Sequence, residues 1–364
     1  MPSYRLFGFI LAICGLAPTN ASQGQSILYG NPSVSEPVVL ERAIPSSTIE
    51  PAVPTGLPEE VIEQHLQALP NSAFDKRASD EIWLISSRHL CSRHASIDSL
   101  DVKKRVNGSH WQTESVHSLL GPDPTGMNRP IVVFVHGNRW TLDKAIRRGL
   151  QTYDQTIIPW NDAPSLRFVI WTWPSDAIPG PIRDVKVKAS KADQHAFHFA
   201  RFLQSVAPPT QLSVMGYSYG GRVSLGALHL MGGGRIDGYH LTNAPPALSG
   251  VSQRINLTLV VPAIRNNCLI GTRAQAYSQI NRLFLVYNNN DRYLNLFKFT
   301  RFGGKNPALG YTGVCGLSRL PGHTFRVDQF NASRAVGTDH DFLEYISDQR
   351  VETRLRAHLL SPQR

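Results

Sequence analysis

The sequence predicts an α/β protein with a mostly parallel central sheet and helices on both of its faces. Three observations carry the prediction. Several short runs are apolar at nearly every position rather than at alternate ones, as strands buried on both faces must be. Those runs alternate with longer segments of helical periodicity, the pattern of a sheet built through crossover helices. One run, Leu212 to Tyr217, passes through a glycine-flanked serine straight into a helical segment.

The elements follow in chain order. Glu81 to Ser86 (EIWLIS) reads as a strand, and Ile131 to Val135 is a β-branched and aromatic run suited to a buried one. Leu142 to Tyr153 is helical, and Leu166 to Thr172 returns to strand. Ile182 to Val206 is the clearest helix, because Ala189, Ala192, Ala196, Ala200 and Leu203 form an apolar stripe at three- and four-residue steps. Strand Leu212–Tyr217 and helix Gly220–Met231 come next, then strands at Leu257–Val261 and Leu283–Tyr287. A strand around Phe325–Val327 and a helix over Val351–Leu360 close the chain.

The amino-terminal part has a different character. Arg5 precedes the apolar run Leu6–Ala17, which Pro18 ends, and Thr19-Asn20-Ala21 offers small residues for cleavage. Residues 1–21 therefore read as a secretory signal peptide, too short in its apolar part to span a bilayer, and export to the periplasm or the medium is the expectation. Cys14 lies inside that run, and the bulky Ile13 before it argues against lipidation. Residues 22–79 are rich in Pro, Ser and Gly and read as a flexible leader with a short helix over 59–69. Residues 80–364 form the α/β domain.

Composition excludes several functions. The net charge is +10, but Lys and Arg are scattered apart from a cluster between Arg183 and Lys191, and no nucleic-acid-binding motif is present. A solvated basic surface is expected, with a binder of an anionic envelope or of polysaccharide as the outside reading. The chain has neither a G-x-G-x-x-G fingerprint nor a phosphate-binding loop, which weakens any nucleotide-binding reading. Of four cysteines, Cys91, Cys268 and Cys315 follow the signal region. They lack metal-ligand spacing, admit at most one disulfide, and are expected as small buried hydrophobes.

Chemistry concentrates at Gly216-Tyr217-Ser218-Tyr219-Gly220. A serine between strand and helix, on a turn whose flanking glycines avoid clashes, reads as a nucleophile elbow (G-x-S-x-G), the alternative being a plain glycine-rich strand-to-helix turn. Its hydroxyl needs a base, and the base needs an orienting carboxylate. Both should follow strands downstream of Ser218. Asp291, after Leu283–Tyr287, is the candidate acid; it also suits a cap on a helix starting at Arg292, and Asp328 is its rival. Of 13 histidines, His340 sits in a loop after the late strand, whereas His323 precedes that strand. His340 is the candidate base. Asp341 beside it is a second carboxylate, able to raise the imidazole pKa or to hold another orientation.

Two backbone donors complete the set. Tyr219 follows the nucleophile directly, and Asn138 lies in Phe134-Val135-His136-Gly137-Asn138-Arg139, after an earlier strand. Gly137 is expected to let the backbone turn so that the Asn138 N–H faces the site. His136 is expected to pack beneath the loop. Trp173, in Trp171-Thr172-Trp173-Pro174-Ser175-Asp176, is either core or a substrate-binding pocket wall.

These residues together resemble the α/β-hydrolase superfamily, closest to an esterase/lipase-like branch with an HGN loop at Val135–Asn138, a WPSD strand end at Trp173–Asp176 and a GYSxGG elbow at Gly216–Gly221. The resemblance covers roughly Asp80 to Leu360. It implies an α/β-hydrolase fold and a serine esterase with Ser218, Asp291 and His340 as the triad, Asn138 and Tyr219 as the oxyanion hole, and no metal or organic cofactor. A small-molecule or lipid ester is the implied substrate, with no nucleic-acid partner and no stable membrane span. The segments Gly232–Gln253 and Phe302–Pro321 are expected to shape a pocket or lid. The alternative is a non-catalytic binding or surface protein on the same fold.

Overall fold

The computed structural model describes residues 77–123, 125–242, 254–299, 306–320 and 326–362. All belong to the second of the two units into which the chain divides, Leu69–Arg364. The signal peptide expected over 1–21, nearly all of the leader expected over 22–79 with its helix at 59–69, and His323 lie outside the described residues.

Nine strands form one sheet: β1 (Glu81–Ser86), β2 (Asp101–Val106), β3 (His110–Glu114), β4 (Ile131–Val135), β5 (Arg167–Thr172), β6 (Leu212–Tyr217), β7 (Ile255–Val260), β8 (Ile280–Tyr287) and β9 (Val327–Asn331). Their order is β3-β2-β1-β5-β4-β6-β7-β8-β9. From β1 across to β9 every pairing is parallel, and β1–β2 and β2–β3 are the two antiparallel pairings. All residues of β4, β5, β6 and β7 are buried, which is why those strands read as unbroken apolar runs.

The hairpin was not expected from the sequence. Its strands, DVKKRV and HWQTE, are polar and partly exposed, and they turn through Asn107 and Gly108 at φ 50° and 74°. The late strand also lies further on than expected, at Val327–Asn331, and forms the other edge.

The helices are α1 (Val116–Leu120), α2 (Leu142–Thr156), α3 (Pro181–Ser205), α4 (Tyr219–Met231), α5 (Arg292–Asn295), α6 (Leu309–Thr312), α7 (Ser333–Val336), α8 (Phe342–Ile346) and α9 (Gln349–Leu359). The alanine stripe of α3 is buried throughout, and at Ala196 it meets Gly226 of α4 so closely that a methyl on that glycine would lie 2.7 Å from the Ala196 Cβ. Small side chains thus let α3 lie tight against α4, whose residues are all buried except Arg222.

The order of strands fixes the place of the site. The chain moves from β4 to β5 on one side, then returns through α3 to β6 on the other side of β4. Loops leaving the carboxyl ends of β4 and β6 therefore diverge, and a crevice opens between them. No helix among the described residues is long and apolar enough to cross a membrane.

Candidate active site

Ser218 stands between the last residue of β6 and the first of α4, with φ 52° and ψ −116°. A serine rarely adopts positive φ, and such strain persists only where the surroundings impose it. Here they do. The Ser218 N–H donates to the carbonyl of Val260 (3.0 Å), and its own carbonyl accepts from Gly221 and Ala263, both at 3.0 Å. A methyl on Gly220 would sit 2.0 Å from the Val135 carbonyl oxygen, so only glycine lets α4 start this close to β4.

His340, in the loop between α7 and α8, reaches this turn. Its Nε2 lies 3.1 Å from the Ser218 hydroxyl oxygen, and its Nδ1 lies 2.5 Å from Oδ2 of Asp291. The carboxylate holds the proton on Nδ1, which leaves Nε2 free to accept from the serine. Asp291 is fully buried, while His340 keeps 15% of its side chain exposed. The other oxygen of Asp291 accepts from the N–H groups of Tyr293 (3.0 Å) and Leu294 (2.9 Å) at the start of α5. The capping role and the pairing with histidine are thus held by one residue at once.

Two tyrosines steady this arrangement, and sequence reasoning missed both. Tyr217, immediately before Ser218, donates its hydroxyl to the carbonyl of His340 and packs its ring 5.5 Å from the imidazole. Tyr345 of α8 lies 3.3 Å from Oδ2 of Asp291 and 2.9 Å from the carbonyl of Asp339, and accepts from Asn288 at 2.8 Å. Burial raises both phenols above their ordinary pKa, so both remain donors. Neither had a signal in the chain: their partners lie 123 and 54 residues away.

The rivals lie elsewhere. Asp328 is on β9, paired with Arg354 at 2.8 Å and His358 at 3.3 Å. Asp341 pairs with Arg148 at 2.9 Å and caps α8 through the N–H of Leu343. The hydrogen bonds of the Asp341 carboxylate thus go to Arg148 and Leu343, whereas the imidazole takes Asp291.

The loop after β4 lies against the elbow. Gly137 has an ordinary negative φ, and the reason for glycine is space: a methyl there would be 2.7 Å from the Tyr217 ring and 3.3 Å from the Ser218 Cβ. Close approach, rather than the turn expected from sequence, explains it. The next residue, Asn138, gives its side-chain amide to Asp184 at 3.1 Å. Tyr219 heads α4, so its N–H has no acceptor within the helix. Asp184 also takes Nε of Arg139 at 3.0 Å and the N–H of Ile178 at 3.1 Å. Its position in the first turn of α3, behind Gly180-Pro181, was the one available hint that it would bind upstream backbone.

Trp173 corrects its pocket-wall reading. It is 0% exposed, donates its indole N–H to the carbonyl of His136 at 2.9 Å, and stacks on that imidazole at 5.8 Å. A side chain enclosed this fully has no surface to offer a substrate. It supports the loop from below. His136 lies between Trp173 and Trp140, and burial pushes its pKa down to about 3. The Trp173 N–H points at its Nε2, so this neutral ring carries its proton on Nδ1, 2.8 Å from the Gly137 carbonyl.

The expected pocket or lid segments divide. Gly232–Thr242, the described part of the first, starts at the far end of α4, with Gly232 about 20 Å from Ser218 at 1.5 Å per helical residue, and turns back so that Ile236 packs near Gly226. In the second, residues 306–320, α6 hydrogen-bonds to the carbonyls of Pro262 and Ile264, on the Ser218 side of the sheet. The cysteines also differ from expectation. Cys268 is buried, with its thiol pushed up to about 12, but Cys91 and Cys315 are exposed, and all three are unbridged. Among the described residues no cluster of His, Cys, Asp or Glu is arranged to hold a metal.

Residues 116–302, just over half of the chain, match the family model described as an alpha/beta hydrolase of unknown function (DUF900). The chain belongs to this alpha/beta hydrolase family. The family match runs from α1 past α5, taking in Asn138, Ser218 and Asp291 and ending before His340. No curated protein matches. Among solved structures, acyl-protein thioesterase 2 of Zea mays is similar at 17% identity and TM-score 0.31, over 65% of this chain and 96% of that one. Esterase B of Lactobacillus rhamnosis is similar at 11% identity and TM-score 0.33, over 82% and 93%. A Listeria innocua gene product is similar at 12% identity and TM-score 0.33, over 65% and 96%.

Proposed function

We propose that this alpha/beta hydrolase is a serine hydrolase that cleaves carboxylic esters through an acyl-enzyme on Ser218. The observation that carries the reading is the continuous relay from Ser218 Oγ to His340 Nε2 at 3.1 Å and from His340 Nδ1 to Asp291 at 2.5 Å. In the first half-reaction Ser218 Oγ attacks the ester carbonyl while His340 Nε2 takes its proton. Asp291 stabilises the imidazolium without accepting that proton. The carbonyl oxygen becomes an oxyanion, received by the N–H groups of Tyr219 and Asn138, each worth roughly 3 kcal/mol in the transition state.

His340 then gives its proton to the leaving alcohol oxygen as the C–O bond breaks. In the second half-reaction water enters, loses a proton to His340, and attacks the acyl carbon. Ser218 leaves with the proton returned. The two halves are chemically alike, so one set of donors serves both. Export belongs to the same proposal and rests on the apolar run Leu6–Ala17 and the small residues after it.

A fluorophosphonate probe tests the nucleophile. Labelling of the wild type that disappears in Ser218→Ala supports the reading, whereas a folded wild type that takes no label sinks it in favour of a non-catalytic binding protein. A chain-length series of p-nitrophenyl esters then defines the acyl group. Fractionation of expressing cells checks export, which full retention of the uncleaved chain in the cytoplasm overturns.

A further inference from the structure

A second site lies at the other end of the sheet. A cavity of about 690 Å³ is lined by Arg254, Arg319 and Arg326, by Tyr277 and Ser278, and on its apolar side by Leu269, Ile270, Ala274 and Leu320. Arg254 immediately precedes β7, Arg326 immediately precedes β9, and Tyr277 lies just before β8. The cavity therefore opens at the amino ends of β7, β8 and β9, opposite the carboxyl ends of β6 and β8 that Ser218 and Asp291 follow. A six-residue strand separates the two ends by about 20 Å. The volume is that of a small-molecule site.

Its polar groups are unsatisfied in a consistent way. Among the described residues the half-buried Arg254 and Arg326 pair with no carboxylate, although most other buried or half-buried arginines do, and the exposed Arg319 is likewise without one. Among the described residues the buried Tyr277 hydroxyl has no hydrogen-bond partner, in a residue only 5% exposed. A buried unpaired hydroxyl is uncommon and calls for an explanation. The guanidinium of Arg326 lies 5.6 Å from the centre of the Tyr277 ring. Burial raises the phenol pKa, the charges of Arg326 and Arg254 oppose that rise, and the group remains a donor at neutral pH.

We propose that this cavity binds a phosphate monoester carrying an apolar group. The three guanidiniums are donors only and carry positive charge, and the phenol can add a further donor, so the complementary ligand supplies acceptor oxygens and negative charge. A carboxylate has two oxygens and one charge. A phosphate monoester has three terminal oxygens and close to two charges, and guanidinium forks fit it in pairs. The Leu269, Ile270, Ala274 and Leu320 wall takes the apolar part. The same headgroup occurs on a soluble ester and on a lipid such as phosphatidic acid, and the shared chemistry is what the cavity reads.

The test uses the full chain with two probes, phenyl phosphate in solution and phosphatidylcholine vesicles containing phosphatidic acid. Saturable binding of either is expected, weakened tenfold or more in Arg254→Gln or Arg326→Gln and several-fold in Tyr277→Phe. Ester turnover should stay unchanged in these variants, which also reports that they fold. Binding of phenyl phosphate alone names a soluble ligand, and vesicle binding alone names a lipid. The proposal is overturned if neither probe binds, if binding survives all three substitutions, or if benzoate binds as tightly as phenyl phosphate.

Discussion

Asp291 spends its two carboxylate oxygens on different tasks: one lies 2.5 Å from Nδ1 of His340, and the other accepts the first free N–H groups of α5. The base and a helix start are thereby fixed by one buried side chain. The two tasks are separable by substitution. Asp291→Asn keeps a capping oxygen but presents the wrong partner to the imidazole, so ester turnover should fall about 10⁴-fold with stability nearly preserved. Asp291→Ala should lose the same activity and in addition about 1 kcal/mol of cap stability. Urea unfolding of the two variants, beside kcat, distinguishes the tasks.

The hold of Tyr217 on the carbonyl of His340 gives a second expectation. Tyr217→Phe removes one hydrogen bond and keeps the ring between Trp140 and Phe342. Stability should drop by about 1 kcal/mol. Turnover should fall roughly tenfold with KM little changed, because a freer His340 loop spends less time with Nε2 on the serine. A rise in KM at constant kcat would instead mean that the tyrosine contacts substrate.

Asp341 is expected to be catalytically silent. Its carboxylate faces Arg148 across a partly exposed pair, worth at most about 1 kcal/mol. Asp341→Asn retains the α8 cap, so the pH–rate profile should overlay that of the wild type. A displaced acidic limb in that profile would return Asp341 to the active site.

Acid should unfold this protein earlier than its carboxylates alone would dictate. Burial lowers His136 and His195 to about 3 and His198 to about 4. In the unfolded chain these rings take up protons near pH 6.5, whereas the folded protein keeps them neutral. The unfolded state then binds more protons, so stability is intact above pH 6.5 and is lost as pH falls from there toward 4 and 3. Each ring contributes a slope of about 1.4 kcal/mol per pH unit inside its window. Melting temperatures between pH 7 and pH 5 measure this, and His195→Gln should remove one proton's share. A flat profile over that interval would contradict it.

Legibility in the sequence followed burial. β4 to β7 were readable because strands buried on both faces cannot hide their composition, and α3 because its alanine stripe keeps helical period over about four turns. The β2–β3 hairpin was not, since one face meets water and its residues are charged; only Asn107-Gly108, a residue pair suited to positive φ, marked it. Ser218, Asp291 and His340 were accessible because each follows a strand, and strand ends are where a parallel sheet gathers its loops. Trp173 was ambiguous because an indole after a strand looks alike in a core or a pocket until its neighbours are known. Here those neighbours are His136 and the loop it carries. Tyr217, Tyr345 and Asp184 act through contacts that no local pattern encodes.

The hairpin has one more consequence. A sheet of nine strands ends in two edges, and an unpaired edge is a template on which foreign strands can grow. At one end stands His110-Trp111-Gln112-Thr113-Glu114, short and mostly solvated, backed by Lys103, Lys104 and Arg105 on β2. At the other stands Val327-Asp328-Gln329-Phe330-Asn331, with Arg354 and His358 of α9 gripping Asp328. A passing strand must lay itself against charge at either border. The apolar interior that makes the sheet so easy to read is thus sealed off from fibril growth by the same polar strands that are hardest to read.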